Sequence, residues 1–205
     1  MHQQFRFLLL SIFISVSVFS QENKKHPMQV GLNYGFGDEI KNTDYTYTNH
    51  YIKGQLYWQL SETKHFTYVI VLQPEINFAT HQLLNLYFVT PDEPDFEEKR
   101  EAFTKLKDIR EYVLGVGFQV RYKVTPKFNV YAMGSVGPMI TDTETERLSK
   151  GFAFSDVFSL GMSYKFKKFS VDFRPNLRHI SNAGLQSSNA GFNTANVEFG
   201  VAVPL

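Results

Sequence analysis

His179 and Ser181 stand two residues apart in the run Arg178-His179-Ile180-Ser181-Asn182-Ala183-Gly184, which Asn189, Gly191 and Asn193 follow. In a strand, residues i and i+2 leave the same face with Cα atoms about 6.6 Å apart, near enough for an imidazole and a hydroxyl to meet. Nucleophilic attack on an ester needs a hydroxyl, a base in reach of it, a group that orients the base, and donors for the oxyanion. Ser181 and His179 fit the first two roles, and Asn182, Gly184 and Asn189 are candidate donors. The plain alternative is a wet His and Ser capping the end of a strand.

Three residues compete to orient the imidazole. Asn193 stands at the foot of the next strand, where its amide oxygen could accept from His179 as Asn does in Cys-His-Asn sites, without supplying charge. Asp156 is the second. A hairpin turning at 166–167 sets Phe154 opposite His179 and Asp156 opposite Leu177, which puts Asp156 on a diagonal about 7–8 Å from His179. Glu198 is the third, but it has the opposite parity and lies about 17 Å along its strand from Asn193.

The elements that must position these residues are strands. After Gln21 the apolar residues alternate almost to the end, a period of two rather than 3.6. Met28 to Phe36, Tyr68 to Phe78, Tyr112 to Tyr122 and Phe169 to Leu177 are clear cases, and eight such segments can be traced. The intervening residues are polar: Gln73, Glu75 and Asn77 on the third segment, and Asp172, Arg174, Asn176 and Arg178 on the seventh. Alternation alone does not say which face is inside. Segments of about 10–14 residues, aromatic residues at their ends and a leader for export favour a membrane barrel with its apolar face outward. The expected fold is an all-β, eight-stranded antiparallel transmembrane barrel of the outer membrane.

Connections at 61–65, 125–127 and 166–167 are short, whereas 37–49, 80–110, 140–151 and 182–194 are long, and the two kinds alternate. Short turns face the periplasm and long loops face outside in such barrels. The seventh strand, from Lys168 to Ser181, therefore ends outward, and His179 shares the lipid-facing parity of Phe169, Val171, Phe173 and Leu177. Within the longest loop, Asp95-Phe96-Glu97-Glu98 predicts a capped surface helix.

Arg6 followed by a mostly apolar stretch at 7–19 and a small residue at Ser20 reads as a signal peptide over 1–20, leaving 21–205 as one barrel domain. The chain has 205 residues, no cysteine and a formal net charge of +1. That balance excludes a disulfide framework and gives no reason to expect a nucleic-acid partner. The histidines, His26, His50, His65, His81 and His179 among them, lack metal-ligand spacing, so neither a metal nor another cofactor is expected.

The stretch 178–184, with Asn189, Gly191 and Asn193, resembles the C-terminal signature of the lipid A 3-O-deacylase family, also called acyloxyacyl hydrolases. The resemblance implies a serine esterase site on the outer wall of the barrel, with lipid A of lipopolysaccharide as substrate. It implies His179 as general base, Ser181 as nucleophile and Asn189 as a contributor to the oxyanion hole. The chain departs from the family pattern at Asn193, where a Glu completes the triad in the family, and at Ser188, where a Pro is common. A barrel with no catalysis, structural or adhesive, is the alternative reading, and pairing of lumen charges such as Glu75 and Arg174 argues against a diffusion pore.

Overall fold

The computed structural model describes residues 27–40 and 42–205; the expected leader at 1–20 lies outside them. The strands are β1 (Met28–Glu39), β2 (Tyr45–Glu62), β3 (Phe66–Leu83), β4 (Lys107–Lys123), β5 (Phe128–Thr141), β6 (Gly151–Lys165), β7 (Ser170–Ser181) and β8 (Phe192–Pro204). Each pairs antiparallel with the next, and β8 returns to β1 with Gln29 facing Pro204 and Glu39 facing Thr194, so the sheet is a closed eight-stranded barrel. Closure leaves no unpaired edge, which is the condition for a sheet to lie in hydrocarbon.

The apolar parity faces outward. Leu32, Phe118, Leu160 and Leu177 are exposed on the wall, while Lys53, Glu75, Arg174, Arg178 and Glu198 are buried in the lumen. Arg174 donates to the Tyr131 hydroxyl and lies 3.2 Å from Glu198, and Arg178 lies 2.6 Å from Glu75. Tyrosines complete the filling: a side chain at Gly35 would strike the Tyr51 ring at 2.3 Å, so the glycine is what admits the ring. A polar interior packed this tightly inside an apolar belt is the arrangement of an outer-membrane barrel.

Two expectations need correcting. The strands run to 18 residues in β2 and β3 and 17 in β4, longer than the apolar pattern indicates. Pairs such as Thr48 with Thr80 and Tyr47 with His81 continue the ladder beyond the lipid belt, where alternation of hydrophobicity no longer marks it. The outer connections therefore shrink to residues 40–44, 84–106, 142–150 and 182–191. The helix in the longest of them, α1 (Phe96–Phe103), is present, but Asp95 sits at φ 56° and forms no side-chain cap. Arg100 anchors α1 instead, donating to the Val89 carbonyl and lying over the Tyr87 and Phe96 rings.

Candidate active site

The site is built on the outer end of β7 and its two neighbours. Arg178 and Ile180 point inward and are buried, so the pleat turns His179 outward. In register, Asp156 of β6 lies on one side of His179 and Asn193 of β8 on the other. All three are exposed on the lipid-facing wall. The imidazole bonds to the Asn side: His179 Nδ1 and Asn193 Oδ1 are 2.8 Å apart. An amide oxygen only accepts, so Nδ1 carries a proton, and in the neutral ring Nε2 then holds the lone pair that a general base requires. Asn193 is itself fixed through its carbonyl, which accepts from the Ile40 N–H at 2.9 Å.

Asp156 is not where the sequence puts it. It pairs directly with His179, and Phe154 pairs with Ser181, two residues away from the expected register. The cause is the inner turn. It spans 166–169 rather than 166–167, closed by Phe166 N–H donating to the Phe169 carbonyl at 2.7 Å and by stacking of the two rings at 4.7 Å. Glu198 is on the opposite face, enclosed by Lys53, Asn33, Tyr51 and Arg174, and cannot meet the imidazole.

The loop after Ser181 is tied into a fixed shape. Asn182 is fully buried; its Nδ2 donates to the Ser188 carbonyl at 2.8 Å, its Oδ1 accepts from Gly184 N–H at 3.0 Å, and its N–H donates to Asn189 Oδ1 at 2.7 Å. The backbone N–H groups of Asn182 and Gly184 and one N–H of the buried Asn182 amide are thereby engaged within the loop. Asn189 remains, exposed, with only its oxygen engaged and its amide N–H groups available. Gly191 closes the loop at φ +66°, where any Cβ would stand 2.2 Å from the Ile180 carbonyl.

A residue that sequence reasoning missed holds this loop from the neighbouring one. Arg147 Nε donates to the Gly191 carbonyl at 2.7 Å and Nη2 to the Ala190 carbonyl at 3.3 Å, while the Arg147 carbonyl accepts from Gly191 N–H at 2.9 Å. Next to it Leu148 forms a β-bridge with Asn189, and Glu146 bonds His81 at 2.9 Å. Arg147 follows the acidic run Thr143-Glu144-Thr145-Glu146, which has no period and no motif to mark it.

An open groove of about 960 Å³ begins at Asp156, His179 and Asn193 and continues over Leu177, Phe158, Gly134 and Phe118. Its far part is apolar wall. Its near end holds Asp156, His179 and Asn193.

The family model described as lipid A 3-O-deacylase (PagL) matches residues 98–202. No curated protein sequence matches the chain. Among solved structures, the outer membrane enzyme PagL superimposes with a TM-score of 0.59 at 10% identity, over 85% of this chain and 99% of that one. Neisserial surface protein A gives a TM-score of 0.50 at 10% identity, over 86% of this chain and 96% of that one. At such identities the likenesses speak to the barrel fold.

Proposed function

Because the chain belongs to the lipid A 3-O-deacylase family and is an outer-membrane barrel, we propose that it is a serine esterase that removes an ester-linked acyl chain from lipid A in the outer leaflet. The observation that carries this reading is the His179–Asn193 hydrogen bond on the lipid-facing wall, with Ser181 one pleat further on the same face. A site there meets a membrane ester without extracting the lipid from the bilayer.

Ser181 Oγ attacks the ester carbonyl while its proton passes to His179 Nε2. The Asn189 amide donates to the oxyanion as it forms. The tetrahedral intermediate collapses, the sugar alkoxide leaves with the proton from His179, and Ser181 holds the acyl group. Water, deprotonated by the same imidazole, then attacks the acyl-enzyme and releases the fatty acid. Asn193 holds the imidazole in the productive tautomer throughout. Asp156, directly across from His179, adds a negative charge near the imidazolium without a hydrogen bond to it. The groove running from His179 supplies an apolar bed for the chain being cleaved.

Mass spectrometry of lipid A from cells expressing the wild type and Ser181→Ala tests the proposal. The wild type is expected to yield lipid A lighter by one acyl chain and Ser181→Ala to leave it intact. Identical acylation with both proteins folded would support the structural or adhesive barrel instead, a reading to which the sealed lumen is equally suited.

A further inference from the structure

We infer that Arg147 is a positioning residue for the proposed esterase, acting through the loop that carries Asn189. The inference rests on that reading of the site and adds a residue from a different loop. Its guanidinium is the point at which three outer connections and the outer end of β2 meet. It lies 4.3 Å from the Tyr45 ring centroid, at the first residue of β2, and 5.3 Å from that of Phe88, in the second connection. Its own backbone belongs to the third, and its donors hold the Ala190 and Gly191 carbonyls of the fourth. A planar cation with several donors can stack on two rings and bridge two carbonyls at once, whereas an ammonium is a single point of charge.

The geometry shows what the clamp fixes. Asn189 is the residue before Ala190; its backbone pairs with Leu148, the residue after Arg147, and its side-chain oxygen is held by Asn182 N–H. The orientation of the Asn189 amide donor is therefore set from both sides. Loss of Arg147 frees the carbonyls at 190 and 191 and lets that donor move, while Ser181, His179 and Asn193 keep their strand positions on β7 and β8. An oxyanion donor acts in the transition state, so the loss belongs in kcat rather than in KM.

The test uses the full-length barrel in detergent with a long-chain p-nitrophenyl ester, heat-modifiable gel migration serving as the check of folding. Arg147→Ala is expected to lower kcat about tenfold or more with KM within about twofold, a fraction of the roughly 10²-fold expected for Asn189→Ala. Arg147→Lys, which retains charge and most of the packing, should stay within about threefold of Arg147→Ala. In the Asn189→Ala background, Arg147→Ala should cost less than about threefold more, because the donor it places is gone. Fully multiplicative losses, a rise in KM alone, or rescue by Lys would overturn the inference while leaving the esterase intact. A folded wild type that hydrolyses no ester and takes no fluorophosphonate label at Ser181 would overturn both.

Discussion

Asn193 gives His179 an acceptor but no charge, and the two contributions can be separated. The amide oxygen at 2.8 Å settles the tautomer, so the severe defect caused by an Asn that presents the wrong tautomer to a catalytic His is not expected here. What the proposed site lacks is a charged group bonded to the imidazole; Asp156 pairs across from His179 without a hydrogen bond to it. Asn193→Ala removes the orienting bond and should lower kcat/KM by about 10–100-fold. Asn193→Glu restores an acid on the same face and should raise kcat about tenfold, with the gain read as faster release of p-nitrophenol at constant protein. A fall in rate for Asn193→Glu would mean that the neighbouring Asp156 makes a second acid a liability, and Asp156→Asn combined with it would then recover activity.

At the scale of elements, what holds the site is register below and loop closure above. Gly191→Ala is the sharpest probe of the loop, since the methyl group would meet the Ile180 carbonyl at 2.2 Å and the backbone at φ +66° disfavours an L side chain. The barrel should still form and migrate as a folded species, with esterase activity reduced at least about tenfold as Asn189 is displaced. The pleat of β7 was readable from its alternation, because a residue's parity fixes its face whatever it pairs with, and so the outward placement of His179 needed no partner. The pairing of Asp156 was not readable, because it depends on the length of a turn that lies well along the chain from it, and Phe166 and Phe169 closing on each other add two residues to that turn. Arg147 was invisible for a related reason: its role lies in carbonyls of another loop, and nothing in a sequence marks which carbonyl a guanidinium will find.

For the whole molecule, the lumen ties together strands that are not neighbours and so keeps the outer rim of β6, β7 and β8 in one shape. Glu198 of β8 is the hub, taking bonds from Asn33 of β1 at 2.7 Å and Tyr51 of β2 at 3.1 Å and lying 3.2 Å from both Lys53 and Arg174. Removing its charge leaves two buried cations whose remaining carboxylate partners, among the described residues, are Glu75, 3.0 Å from Lys53, and Asp172, 3.1 Å from Arg174. Breaking a buried charge pair costs about 3–5 kcal/mol, and the two remaining carboxylates place Glu198→Gln near the lower end. The expected outcome is a lower temperature or denaturant concentration at which the gel-shifted folded form is lost. Activity of the protein that remains folded should stay within about twofold, because Glu198 faces the lumen and the proposed catalytic pair faces lipid. That result, set beside the loss in Asn193→Ala, would separate the residue that orients the base from the acid that holds the barrel.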